Sequence, residues 1–277
     1  MDVVELSADP AGIYLKAALG LLPTRRGSSL PAREIVRRAV AVDLARLARY
    51  NRVCGFRLGN PLPATYPHVL AFPLAMALMT ASDFPFPAVG IVHVANRITV
   101  HRPVATAERL DLLVHAENLR SHDRGRVFDM VATAAVDGET VWTGVSTYLS
   151  KNAGKSAGRG KRDYPPAPAP TAIWGVPGRV GRDYAAVSGD HNPIHTSRIG
   201  ARLFGFARPI AHGMWTKARA VAALEGRLPA AYTVDVAFKQ PITLPSTVGF
   251  TAVERADGWD FRVDGKRPHL AGQVTPP

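Results

Sequence analysis

The stretch Tyr184-Ala185-Ala186-Val187-Ser188-Gly189-Asp190-His191-Asn192-Pro193-Ile194-His195, with Ala201 shortly after it, holds most of the readable chemistry of this chain. Asp190 and His195 stand at i and i+5 across an Asn192-Pro193 turn, so a carboxylate and an imidazole can converge on one point. Downstream, Gly205-Phe206-Ala207-Arg208-Pro209-Ile210-Ala211-His212-Gly213-Met214 reads as a loop running into a helix start, where Gly213 presents a free backbone N–H. An acid/base pair beside an oxyanion donor suits the addition or removal of water next to a carbonyl. The plainer reading makes Ser188, Asp190 and Asn192 caps of a turn before a proline. It explains neither His195 nor the glycine-bearing segment beyond it.

Tyr184, Ser188, Gly189, Asp190, Asn192, Pro193, His195 and Ala201, joined by the run Ile210 to Met214, resemble without a spacing error the signature of the MaoC-like, R-specific enoyl-thioester hydratases, a hotdog-fold family. The resemblance implies that Asp190 and His195 bind and activate the water, and that the N–H of Gly213, just after His212, holds the thioester oxygen. Ser188, Asn192, His212 and Met214 then become site-shaping or substrate-binding positions. One departure is Val221, which stands where some members carry a serine on the central helix. The whole chain, with a degenerate first half, resembles the double-hotdog 3-hydroxyacyl-thioester dehydratases of actinobacteria. That implies an α+β fold of two tandem hotdogs, each a long central helix wrapped by an antiparallel sheet.

Self-comparison points independently to a duplication. Tyr50-Asn51-Arg52-Val53-Cys54-Gly55-Phe56 lines up with Tyr184 to Asp190, and His68 ahead of an apolar helix at Val69 to Met79 lines up with His212 ahead of a helix at Met214 to Leu224. Val92 to Ala95 echoes Val234 to Ala237, with Pro103 and Pro245 beyond them, and the Asp137-Gly138 hairpin signal echoes Asp264-Gly265. In the first copy Phe56 replaces Asp190 and Pro61 replaces His195, so the polar site has become apolar. The first copy is therefore read as non-catalytic, with Phe56 and the Val69 to Met79 helix lining an acyl channel that Ala75 could narrow; Phe56 is equally readable as plain core.

Alternation and β-branched runs predict strands at Ile91 to Val100, Leu110 to Leu119, Val127 to Val136 and Thr140 to Leu149 in the first half. In the second they fall at Tyr232 to Phe238, Thr247 to Glu254, Gly258 to Val263 and His269 to Val274. The expected division is residues 1–150 for the degenerate hotdog, 151–170 for a linker and 171–277 for the catalytic hotdog. The linker opens with a Gly/Lys/Arg run, read as solvated, and closes with alternating proline, which stiffens it.

Composition narrows the function classes. A chain of 277 residues, 47% hydrophobic and 20% charged, has the make-up of a soluble globular protein with a sizeable core. The apolar run Val69 to Met79 is too short to span a membrane and contains Pro73, and the N-terminus, with Asp2 and Glu5, does not resemble a signal peptide, so cytoplasmic residence is the default. A single cysteine, Cys54, excludes an internal disulfide, and the nine histidines lack zinc-site spacing, so no metal is expected. The net charge of +12 fits an acidic partner such as the phosphates of coenzyme A or an acyl carrier protein, though it also serves solubility alone. Nucleic acid is not expected, because no recognition motif accompanies the charge.

The expectation is a lyase that interconverts trans-2-enoyl and (R)-3-hydroxyacyl thioesters of fatty-acid metabolism. It needs no cofactor beyond the coenzyme A or phosphopantetheine that carries the substrate, and a homodimer is compatible with it. The alternatives are a hotdog thioesterase and a non-catalytic acyl-thioester-binding subunit. The intact Asp190/His195 pair argues against both.

Overall fold

The protein is described from a computed structural model, in which residues 2–7, 27–151 and 168–277 are described. The first half contributes β1 (Asp2–Glu5), β2 (Arg33–Val40), α1 (Leu44–Cys54), α2 (Tyr66–Met79), β3 (Val92–Val100), β4 (Leu110–His122), β5 (Gly125–Val136) and β6 (Glu139–Lys151). The second contributes β7 (Ala172–Val176), α3 (Val180–Ser188), α4 (Pro193–Thr196), α5 (Arg198–Leu203), α6 (Gly213–Ala223), β8 (Tyr232–Phe238), β9 (Ser246–Arg255), β10 (Gly258–Asp264) and β11 (Pro268–Thr275). Among the described residues no helix is long and apolar enough to cross a membrane.

The eleven strands of the described residues form one sheet in the order β1-β2-β4-β5-β6-β3-β8-β11-β10-β9-β7. Leaving aside β1, a parallel addition at one edge, the order read outward from the β3–β8 junction is the same in both directions. Each half supplies an outer strand, a short helix, a central helix and four strands in the same chain order. This is the double hotdog, two copies joined edge to edge. The strand predictions hold for all eight runs, and β1, β2 and β7 are strands that the alternation did not mark. The segment predicted as a linker is largely outside the described residues, at 152–167.

The duplication is visible locally. Both α1 and α3 end on a glycine in the left-handed region, Gly55 (φ 83°) and Gly189 (φ 82°), whose N–H groups close on Asn51 and Ala185. Only glycine takes that conformation without strain, which explains why the two copies match there. The helices pack side by side with the Tyr50 and Tyr184 rings 6.2 Å apart, and Arg46 Nε donates to the Val187 carbonyl at 2.8 Å.

Three expectations are corrected. His68 lies inside α2, and the residue that caps this helix is Thr65, hydrogen-bonded to the Tyr50 hydroxyl at 2.7 Å, just as His212 caps α6 beside Tyr184. The alignment slipped because residues 55–65 in one copy correspond to 189–212 in the other, where α4 and α5 are inserted. Phe56 is core: it stacks on Tyr50 at 6.2 Å and does not line the cavity described below. Asp137-Gly138 forms the expected two-residue turn, both residues at positive φ, but Asp264 belongs to β10 and its carboxylate is tied to Arg262, leaving a longer connection to Pro268.

The seam between the copies is polar as well as apolar. Arg97 pairs with Asp235 at 2.6 Å across β3 and β8, and the Thr99 and Thr233 hydroxyls meet at 2.9 Å. Beneath them Lys217 of α6 is fully buried, its Nζ donating to Asn96 O (3.0 Å), Asn96 Oδ1 (2.6 Å) and Val234 O (2.9 Å). Burial lowers the pKa of this amine well below the usual lysine value, with Asp235 opposing it. The three acceptors match the three hydrogens of an ammonium, which is the form the seam requires. Lys217→Met keeps the volume but strips three buried oxygens of a donor, and should cost about 2–4 kcal/mol in urea unfolding. An unchanged or higher midpoint would show that an apolar seam serves as well.

Candidate active site

The Asp190 segment is held by its own polar side chains. Ser188 Oγ accepts from Asp190 N (3.1 Å), Asp190 Oδ1 from Asn192 N (3.1 Å), and Asn192 Oδ1 from Ile194 N (3.3 Å), the last capping α4. The turn-capping reading of Ser188 and Asn192 is thus their local role, and it aims the two groups that are not spent on caps. Asp190 Oδ2 stays free of the turn, and His195 comes off the last turn of α4 toward Ile210, whose carbonyl lies 2.8 Å from Nδ1.

That contact fixes the tautomer. A carbonyl only accepts, so Nδ1 carries the proton and Nε2 presents a lone pair. Burial, the largest influence, lowers the pKa of His195 below its usual value, while Asp190 and the Ile210 carbonyl act the other way. At neutral pH His195 is a neutral acceptor beside a carboxylate.

His212 is buried, stacks on His195 with centroids 3.7 Å apart, and donates Nε2–H to the Asp190 carbonyl at 3.0 Å. Its Nε2 is also 3.8 Å from Asp190 Oδ2, but burial holds its pKa well below the histidine norm, so this is no ion pair. Asp190, His195 and His212 have ligand-type atoms within 4.8 Å of one another, a proximity invisible in sequence because His212 arrives on another segment. The two rings are stacked with their planes only 25° apart, so one ion cannot readily lie in the plane of both, and one nitrogen of each already faces a carbonyl. The trio fits proton transfer better than metal ligation.

Gly213 opens α6, so its N–H lacks an intrahelical acceptor and lies at the positive end of the helix dipole. A Cβ there would meet the Phe238 ring at 3.1 Å, so glycine lets the backbone lie close under that ring. Glycine is also required at Gly181 in α3, packed directly against the His195 carbonyl, a constraint that sequence inspection missed because an early helical glycine reads as unremarkable.

These groups line one cavity of about 1120 Å³, above the usual ~300–1,000 Å³ of small-ligand pockets. Asp190, His195, His212, Gly213 and Met214 all face it, as do Ser188 and Asn192. Among the described residues Asp190 is the one carboxylate of the lining. Helix α2 supplies Val69, Phe72, Met76 and Met79 to the opposite wall, whereas Ala75 turns toward β5 and β6, so it is not the position that would narrow the cavity. At the rim stand the exposed cations Arg124, Lys151 and Lys239, none in a salt bridge among the described residues. Also unforeseen in the sequence are His68, His93, Tyr148 and Phe238, which reach the cavity from both halves.

Comparison with known proteins places the chain in a family. The MaoC-like domain family matches residues 180–266, the segment that contains Asp190, His195 and Gly213. The chain is 41% identical over 274 residues to 3-hydroxyacyl-thioester dehydratase X of Mycobacterium tuberculosis, covering 96% of this chain and 98% of that one. The crystal structure of HtdX from the same organism superposes with a TM-score of 0.80 at 40% identity, over 88% of this chain and 100% of that chain. Rv0216 of Mycobacterium tuberculosis, a double-hotdog protein, shares the fold at 14% identity with a TM-score of 0.52, over 91% of this chain and 96% of that chain. The chain belongs to the MaoC-like dehydratase family, in its double-hotdog form.

Proposed function

We propose that this protein reversibly hydrates trans-2-enoyl thioesters to (R)-3-hydroxyacyl thioesters, with Asp190, His195 and Gly213 as its catalytic groups. The observation that carries the reading is a neutral His195 Nε2 and a free Asp190 oxygen converging beside the N–H at the start of α6. In the hydration direction water sits between Asp190 and His195. One of its protons passes to the pair as its oxygen bonds to C3, and the electron pair of the double bond moves toward the thioester oxygen. The Gly213 N–H and the helix dipole hold that developing charge. The pair then returns a proton to C2, so one water is added and no redox equivalent or cofactor is called for. Dehydration is the reverse.

Arg124, Lys151 and Lys239 at the rim match the phosphates of coenzyme A or of a carrier-protein phosphopantetheine arm. The apolar α2 wall suits the acyl chain. Following the loss of conjugated absorbance of trans-2-enoyl-coenzyme A, with chiral analysis of the product, tests the proposal. The R alcohol is expected; the S alcohol, or free thiol released without hydration, would overturn it. Met76→Trp should shorten the channel. If three methylenes lose their contacts at about 0.8 kcal/mol each, kcat/KM for a long chain should fall about fiftyfold relative to a four-carbon one. A ratio that stays put would place the chain elsewhere.

A further inference from the structure

The half that lacks the acid/base pair nevertheless brings three polar side chains to the cavity: His68 from α2, His93 from β3 and Tyr148 from β6. They form one group, with His93 stacked on Tyr148 at 4.6 Å and on His68 at 6.2 Å, and with His93 edge-on to Phe238 at 4.9 Å. Phe238 is the ring that covers Gly213, so the group is one aromatic ring away from the thioester-oxygen site. His68 and Tyr148 also border a small void behind the main cavity, which places them at its inner wall.

Several observations separate this group from ordinary core. β3 is bulged between His93 and Ala95, and a bulge of that kind re-aims a side chain at the expense of a regular ladder. His93 Nε2 is buried with no partner, and among the described residues no protein group hydrogen-bonds the His68 ring. The unpaired His93 Nε2 and the His68 ring, on a wall shared with Val69, Phe72 and Met76, are costly unless something else pairs with them. Both rings are neutral at physiological pH: burial, then the charge of Lys217, lowers His68 to about 4 against an opposing Asp190, and burial followed by His68 and Lys217 lowers His93 well below its norm. His93 also hydrogen-bonds the Ala95 backbone, which leaves its Nε2 as an acceptor, while the neutral His68 ring both donates and accepts; together they suit an uncharged oxygen rather than a carboxylate.

We propose that His68, His93 and Tyr148 form a seat for an uncharged oxygen function, a hydroxyl or keto group, carried on the acyl chain beyond the reacting carbons. This rests on the hydratase reading and names a substrate class for it: oxygenated enoyl thioesters rather than plain alkyl ones.

The test uses the full-length protein and trans-2-enoyl-coenzyme A substrates of one chain length, unsubstituted or with a hydroxyl or keto group at successive carbons from C5 outward. At one or two positions the wild type should show kcat/KM at least about tenfold above the unsubstituted chain, the worth of one hydrogen bond in a site that otherwise leaves its partner unpaired. His68→Leu and His93→Leu should each bring that ratio close to one, whatever happens to the absolute rates. His68→Gln, which retains a donor and an acceptor, should keep part of it, and stands in if the leucine variant fails to fold. A wild type with no positional preference, or a preference that survives in the variants, overturns the seat. Turnover of the unsubstituted chain shows separately whether the hydratase reading holds.

Discussion

Asp190→Asn and His195→Gln should each lower kcat by roughly a hundred- to ten-thousandfold, the range of a positioned general acid or base, with thermal melting close to that of the parent. The fold should tolerate both changes. Asparagine at 190 keeps an oxygen for the Asn192 N–H, and residue 195 is half-buried at the end of a short helix. Because the two groups act on one water, the double variant should be little worse than either single one. The wild-type pH profile carries a second check. Burial lowers the His195 pKa, so its neutral, accepting form persists to more acid pH than that of an ordinary histidine. The acid limb of kcat/KM should therefore fall below pH ~6.5, the unperturbed histidine value. Near-normal turnover in either variant, or an acid limb above that value, would remove the pair from the mechanism.

How much of this could be read in advance depended on the range of the interaction. Strands were legible because alternation over β4, β5 and β6 is written residue by residue, and the duplication because Gly55 and Gly189 face the same backbone demand. The Asp190 to His195 pairing was legible for the same reason, since one capped turn sets its geometry. Long-range placements were not. That Ala75 faces the sheet while Met76 faces the cavity depends on how α2 is rotated against β5 and β6, and an all-apolar helix carries no amphipathic signal of that rotation. Phe56 looked like a channel residue because it occupies the place of Asp190 in the alignment, but its ring turns into the core and stacks on Tyr50. His93 owes its aim to a bulge, and Lys217 its tolerance to three carbonyl oxygens brought from two other strands. Neither leaves a local trace in the sequence.

Gly213→Pro should cut kcat about a hundred- to a thousandfold relative to Gly213→Ala, the loss seen when a single oxyanion donor is removed. The comparison isolates the N–H. Both variants place a Cβ 3.1 Å from the Phe238 ring, so both carry the same crowding, but only proline lacks the donor. Proline is also compatible with the backbone. Residue 213 is the first of α6, where the N–H has no intrahelical acceptor, and His212 before it is extended at ψ 138°, as a residue preceding proline prefers. The two variants should therefore melt within a few degrees of each other, and the difference should appear in kcat more than in KM because the charge on the thioester oxygen grows toward the transition state. Equal kcat in two folded variants would mean that the oxyanion is held elsewhere, and that the start of α6 only shapes the cavity.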